Sequence, residues 1–248
     1  MFKIAGGQLY LRFLANLHAT HLFDWYLEIG CRDGKSFAPV RSKTLAVDPF
    51  FQTDLNIIGS KPQLHLFQTT SDAFFESGYL KRNKIKLSFA FLDGMHLFEY
   101  LLRDFMNAEA AAAPNGVIAL HDCVPSDADM TTRDLGALKT KAWAGDVWKL
   151  LPILAEYRPD RKITVLDCRP TGLVLVSNLN PRNTALRDAY DEIVARYLPV
   201  TLSDYGPERF GDSFAFTDAR AFRDAGYPTF AKLPLDDSLA LVPVMVTL

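Results

Sequence analysis

The sequence has little of what marks secreted, metal-clustered or membrane-embedded proteins. Its three cysteines, Cys31, Cys123 and Cys168, are scattered and form no Cys-x-x-Cys pair, which argues against a disulfide framework or a structural zinc site. No run approaches the ~20 apolar residues that a membrane span needs. The chain does not open with a charged segment followed by an apolar stretch, so we expect no signal peptide and a cytoplasmic location.

The chain also has no large excess of positive or negative charge. The net charge is −2, which gives no electrostatic footprint for nucleic acid or for an anionic membrane, so we expect neither partner. The one basic run, 81–86, precedes a predicted strand and is interpreted as a solvated face. A chain of 248 residues can bury one large core. We divide it into an N-terminal helical cap (1–21), a main domain (22–180) and a C-terminal helix with an irregular extension (181–248).

Strand and helix patterns alternate along the main domain, which is typical of an α/β protein. The predicted strands are 25–29, 44–48, 64–68, 87–92, 117–120, 162–166 and 173–176. The predicted helices are 7–20, one beginning near Ala73 that Ser71 or Asp72 could cap, 97–113, 143–156 and 183–197. Five strand–helix units lead to two strands joined by a short link. We therefore expect a mostly parallel seven-stranded sheet with an antiparallel terminal hairpin and helices on both faces.

An apolar strand that ends in Glu28-x-Gly30-x-x-x-Gly34 is the most informative feature of the chain. The next predicted strand ends in Asp48. Glycine lets the backbone approach a ligand, and a carboxylate at the tip of the following strand can accept both ribose hydroxyls. This pairing predicts a site for an adenosine-containing ligand.

Three classes of adenosine-containing ligand are compared with this pattern. A dinucleotide needs a second glycine where this chain has Arg32, and no tyrosine has the lysine four residues on that short-chain reductases need. Gly34-Lys35-Ser36 looks like the end of a P-loop, but three residues rather than four separate the two glycines. S-adenosylmethionine (SAM) carries no phosphate, and its ammonium group favours a nearby acid such as Glu28 or Asp33.

With these residues the chain resembles class I SAM-dependent methyltransferases, whose first motif and second strand end have this pattern. The resemblance covers about residues 22–178 and implies a Rossmann-like class I methyltransferase fold. It implies SAM as the cofactor. The carboxyl ends of parallel strands share one sheet edge, so we expect the cofactor-binding residues to be Glu28, Gly30, Gly34, Ser36, Asp48, Ser71, Asp72 and Asp93.

A second cluster, Asp93-Gly94-Met95-His96 followed later by His121-Asp122, is similar to a subgroup that methylates hydroxyls of sugars and other natural products with the help of Mg²⁺. The resemblance implies that Asp93 and Asp122 hold the metal and that His96 is the base, with Asp93 also catalytic. The subgroup often has an acid where this chain has His121, a softer ligand that Mg²⁺ does not favour. His121 is kept as a third candidate metal ligand.

The expected function is therefore SAM-dependent O-methylation of a small molecule or glycan. Two alternatives stay open: a SAM- or nucleotide-binding module without turnover, and a nucleotide-dependent enzyme. A nucleic-acid methyltransferase is disfavoured because no Asn/Asp-Pro-Pro-Tyr/Phe follows the fourth predicted strand. The tail past residue 198 is rich in aromatics and is compatible with a lid, a substrate-facing extension or a homodimer arm.

Overall fold

The computed structural model describes residues 1–235. Its strands are β1 (Trp25–Ile29), β2 (Lys43–Val47), β3 (Leu64–Phe67), β4 (Leu87–Leu92), β5 (Ala112–Leu120), β6 (Lys162–Leu166), β7 (Leu173–Ser177) and β8 (Phe216–Thr217). Its α-helices are α1 (Tyr10–Thr20), α2 (Ser71–Glu76), α3 (Tyr79–Arg82), α4 (Phe98–Ala110), α5 (Leu150–Tyr157), α6 (Ala185–Asp188), α7 (Tyr190–Tyr197), α8 (Leu202–Tyr205), α9 (Pro207–Asp212) and α10 (Ala219–Asp224). No helix among these residues is both long and apolar enough to cross a membrane.

One sheet organises the described chain, with the strand order β3-β2-β1-β4-β5-β7-β6-β8. The first five strands in this order are parallel, whereas β7 lies antiparallel between β5 and β6. This confirms the predicted Rossmann-like sheet with its antiparallel terminal hairpin. The prediction of seven strands was one short: β8 pairs with β6, but two residues are too few to show an alternating pattern.

Helices cover both faces of the sheet, as predicted. Alternate residues of the fully buried strand β4 point to opposite faces. Leu92 belongs to a core with α4 and α5, whereas Phe91 belongs to a second core. That second core is completed by Leu17 of α1 and by Phe222 and Phe230 of the C-terminal extension. The described part of the extension therefore packs on the sheet, and the division at 21 and 180 stays a prediction.

Local structure differs from the sequence-based expectation in four places. Residues 30–42 and 48–63 contain turns but no helix, so among the five parallel strands only β3, β4 and β5 are followed by helices. Pro114-Asn115-Gly116 does not end a helix but lies within β5, where the register with β4 shifts. The predicted helix 143–156 begins at Leu150, after a 3₁₀ turn. Thr70, rather than Ser71 or Asp72, caps α2 by accepting a hydrogen bond from the Ala73 N–H.

Candidate active site at the carboxyl edge of the sheet

The parallel pairing brings the predicted residues to one edge of the sheet. The backbone N–H of Gly30 donates to Val47, that of Asp93 donates to Ile29, and that of His121 donates to Leu92. These bonds continue the strand ladder one residue past each strand end. The first polar residues after β1, β2, β4 and β5 are therefore neighbours in space, as expected for an open α/β sheet.

Gly30 shapes the turn between the first strand and its loop. Its φ is +89°, a region that favours glycine. A Cβ at this position would lie 1.9 Å from the carbonyl oxygen of Asp93. Only glycine lets these two strand ends approach so closely. Gly34 also has a positive φ, +79°, and packs against Thr53 and Ile57 of the next loop.

Asp48 ties the loops after β1 and β2 together. One carboxylate oxygen accepts the backbone N–H of Arg32 at 2.9 Å, and the other accepts that of Phe50 at 2.7 Å. A carboxylate offers about four lone-pair sites, so each oxygen can still accept a further donor. The geometry fits the predicted contact with ribose hydroxyls. That contact stays a prediction.

Glu28 and Ser36 lie beneath this turn rather than at its surface. The Glu28 carboxyl is fully buried and accepts hydrogen bonds from the hydroxyls of Tyr26 and Ser36. Burial raises the pKa of Glu28 to about 8, against the opposing effect of these two hydrogen bonds. Both residues support the glycine turn from below, and their predicted contact with the cofactor stays a prediction.

Ser71 and Asp72 open α2 near the same edge. Asp72 makes a two-point ion pair with Arg103, at 2.8 and 2.7 Å, so its carboxylate already has a partner. Asp104, on α4, lies close to this helix start. It is 1% exposed, lies beside Gly94, and one of its oxygens has no partner among the described residues. Burial raises the pKa of Asp104 to about 7, against a hydrogen bond from Ser71.

The strongest concentration of ionisable groups is formed by Asp93, His96 and Asp122. One ligand atom from each lies within 4.8 Å of the others. The Nε2 atom of His96 is 3.5 Å from Asp93 Oδ1 and 3.3 Å from Asp122 Oδ2. Two ligands in adjacent positions around a six-coordinate cation with 2.1 Å bonds are about 3.0 Å apart. The donor set therefore fits a divalent cation after small side-chain movements.

The ring of His96 is oriented from its other side. Its Nδ1 lies 2.9 Å from the carbonyl oxygen of Trp143, and because a carbonyl can only accept, Nδ1 carries the proton. The indole ring of Trp143 packs on the imidazole at a centroid distance of 5.0 Å. Burial lowers the pKa of His96, but the hydrogen bond to Asp93 and the charge of Asp122 outweigh burial and raise the pKa above its ordinary value.

His121 lies behind the two carboxylates instead of joining the three-ligand group. Its Nδ1 is 3.1 Å from Asp93 Oδ1 and 3.4 Å from Asp122 Oδ1. Burial opposes protonation, but the charges of Asp93 and Asp122 prevail and raise the pKa of His121 to about 10. The structure thus places His121 as a hydrogen-bond partner of the predicted ligands, and its own metal ligation stays a prediction.

Asp122 is held in an uncommon backbone conformation. Its φ is +58°, which asparagine and aspartate tolerate better than most residues. The Thr171 hydroxyl donates to Oδ1 at 2.6 Å, which leaves Oδ2 facing His96. Burial opposes ionisation of Asp122, but the charge of His121 outweighs it and lowers the pKa to about 2. Asp122 is therefore a carboxylate at neutral pH.

Sequence reasoning missed three residues of the site. The ring of Tyr10, the first residue of α1, covers His121 at a centroid distance of 3.9 Å. Burial and the charge of Asp93 raise the pKa of Tyr10, so its hydroxyl keeps its proton. Trp143 and Thr171 come from loops distant in sequence. No local sequence pattern identifies any of them as part of the site.

The P-loop alternative finds no support in residues 30–42. The Lys35 ammonium pairs with Asp33 at 2.7 Å on the exposed side of the loop. The Ser36 hydroxyl is used by Glu28, and no helix follows the turn. A P-loop needs a free lysine and a helix N-terminus at the phosphates.

Comparisons with known proteins find only distant similarities. No family model matches the chain, and no curated protein matches it. Among solved structures, the O-methyltransferase TomG from Streptomyces achromogenes, in complex with SAM, is 17% identical, with 69% of this chain and 78% of that chain covered and a TM-score of 0.48. An O-methyltransferase from Bacillus cereus with S-adenosylhomocysteine (SAH) is 14% identical over 69% of this chain and 79% of that chain, with a TM-score of 0.42.

MycE methyltransferase of the mycinamycin pathway, in complex with Mg, SAH and mycinamycin VI, is 17% identical over 70% of this chain, with a TM-score of 0.43. The present chain spans about half (49%) of the length of that protein. The fold assignment rests on the strand order and register of this chain itself, and its function is argued from the site.

Proposed function

We propose that this chain is a SAM-dependent methyltransferase that acts on a hydroxyl of a small molecule or glycan with the help of a divalent cation. One observation carries the proposal. The glycine turn and Asp48, which suit an adenosine, share a sheet edge with Asp93, His96 and Asp122, which suit a cation. The cofactor part and the cation part of the site meet at Asp93. Its carbonyl contacts the Gly30 turn, and its carboxylate faces His96.

The protein's own groups would divide the work as follows. Asp48 would accept the ribose hydroxyls, while the Gly30 backbone lets the cofactor approach the sheet. Asp93 and Asp122 would hold the cation and thereby fix the acceptor in line with the methyl group. SAM supplies an activated methyl group when bound, and a bound cation lowers the pKa of a coordinated hydroxyl. The ring of Tyr10, packed on His121, would shield that imidazole from water.

The acceptor class follows from charge and from the cation. No basic stripe is present to bind a phosphate backbone, and a cation beside the cofactor suits vicinal hydroxyls better than an amine. This supports O-methylation over N-methylation. The role of His96 as base, glycans as acceptors and a homodimer stay predictions.

Calorimetric titration with SAH, repeated with ATP and NAD, tests the cofactor half of the proposal. We expect SAH alone to bind. Asp48→Ala should weaken SAH binding by about 1.5–3 kcal/mol, because it removes two hydrogen bonds to a charged group. Asp54→Ala is the matched control, since Asp54 is an exposed acid on the same loop.

Turnover is then measured with glycosides and vicinal diols, with and without EDTA. Methyl transfer that EDTA abolishes would support the proposal. Binding of ATP or NAD in place of SAH would refute it, and SAH binding without turnover on any acceptor would favour the non-catalytic module.

A further inference from the structure

The lone pair of His96 faces other lone pairs rather than open space. Since Nδ1 donates its proton to the Trp143 carbonyl, the neutral ring presents an unprotonated Nε2. That atom lies between Asp93 Oδ1 and Asp122 Oδ2, at 3.5 and 3.3 Å. Three acceptors that converge on one point repel one another unless a positive charge lies between them, either a proton on Nε2 or a metal ion that replaces it.

This orientation is unfavourable for a general base. A base must direct its lone pair at the proton that it removes, within hydrogen-bond reach of the acceptor. Packing against Trp143 and the hydrogen bond to its carbonyl hold the His96 ring with Nε2 toward the carboxylates. The same contacts suit a metal ligand, since ligating histidines commonly donate their other N–H to a carbonyl or carboxylate.

The composition of the donor set decides which cation it prefers. Mg²⁺ favours oxygen ligands and keeps near-ideal octahedral geometry. An imidazole nitrogen suits first-row transition ions instead. His121 cannot supply the missing acidic oxygen, because it is a histidine, and its Nδ1 lies against Asp93 Oδ1 at 3.1 Å and Asp122 Oδ1 at 3.4 Å.

We propose that His96 is a metal ligand and not the base, and that the site of Asp93, His96 and Asp122 selects a divalent first-row transition ion such as Mn²⁺, Fe²⁺ or Co²⁺ over Mg²⁺. This inference rests on the proposed function for the presence of a cation. It changes the assignment of His96, because a ring with one nitrogen on a metal and the other on a carbonyl has none left to accept a proton.

The test loads the full chain with Mn²⁺ and records electron spin-echo envelope modulation, which detects ¹⁴N bound directly to the ion. We expect a coordinated imidazole nitrogen in the wild type, and its loss in His96→Gln. Mn²⁺ affinity should fall in that variant by at least the roughly 10–100-fold that loss of an outer-shell partner costs. His65→Gln is the control, since His65 contacts Tyr79 away from the site.

Competition with MgCl₂ tests selectivity, and SAH titration of the same samples separates this inference from the proposed function. A hundredfold excess of Mg²⁺ should leave Mn²⁺ bound to the wild type. In His96→Gln the ratio of Mn²⁺ affinity to Mg²⁺ affinity should be smaller. Bound Mn²⁺ without a nitrogen signal, or an unchanged preference in the variant, would overturn the inference. SAH binding without Mn²⁺ binding would overturn the metal site alone. Nitrogen-coordinated Mn²⁺ without SAH binding would support the inference and overturn the proposed cofactor.

Discussion

Replacing Gly30 by alanine tests how the two halves of the site are joined. The added Cβ would lie 1.9 Å from the Asp93 carbonyl oxygen, whereas ordinary contacts begin at 3.4 Å. The backbone of β4 would therefore have to move by about 1.5 Å, or the turn would have to open. Either movement displaces Asp93, which serves both the cofactor and the cation half of the proposed site.

Gly30→Ala is expected to lower the free energy of unfolding for two reasons. A residue with a Cβ at a φ of +89° loses roughly 1–2 kcal/mol. Overpacking against a rigid neighbour costs typically about 1–3 kcal/mol more. Gly226→Ala isolates the first contribution, because Gly226 has a φ of +75° but nothing lies within 4 Å of an added Cβ. Gly30→Ala should therefore lower the free energy of unfolding by about 1–3 kcal/mol more than Gly226→Ala.

Urea unfolding of the wild type and both variants measures this difference. Titrations with SAH and Mn²⁺ below the unfolding transition measure its effect on the site. We expect Gly30→Ala to weaken both ligands and Gly226→Ala to weaken neither. Equal destabilisation by the two variants, with SAH and Mn²⁺ binding intact in both, would refute the claim that the Gly30–Asp93 contact positions the site.

Two further predictions concern stability. Burial lowers the pKa of His18 to about 3, so the unfolded state, with a pKa near 6.5, takes up the proton first as the pH falls. The contribution of His18 to the free energy of unfolding should be fully present above about pH 6.5 and smaller by about 2 kcal/mol at pH 5. Urea unfolding of His18→Phe at pH 7.5 and pH 5 should lack this loss. An equal loss in the variant would contradict the prediction. Glu109→Gln should cost about 3–5 kcal/mol, because it removes the buried carboxylate that pairs with both Arg158 and Arg161 and leaves these buried cations only the partly exposed Asp160. Lys139→Gln, in an exposed pair, should have no measurable effect in the same assay.

His18 also shows why packing was harder to predict than strand order. A histidine near a helix end is more often at the surface, but here its ring is fully buried against Tyr26 and Phe89. A single sequence does not show which helix face meets the sheet when the neighbouring element is a distant C-terminal segment. Phe222 and Phe230 supply that segment, from a tail without visible periodicity.

The sequence by itself determined the parts of this protein that depend on local chemistry and on strand direction. An apolar run ending in a polar residue defines each strand tip, and parallel pairing then brings Gly30, Asp48 and Asp93 to one edge, whatever the loops do. Two glycines four apart similarly indicate the turn that must approach Asp93.

Only the tertiary structure decided which groups those strand tips contact. The carbonyl of Trp143 fixes the proton of His96, Thr171 fixes the carboxylate of Asp122, and Tyr10 covers His121. These three partners lie 47, 49 and 111 positions along the chain from the groups that they contact. Contacts across such separations are set by the packing of the whole core, which no local sequence pattern records.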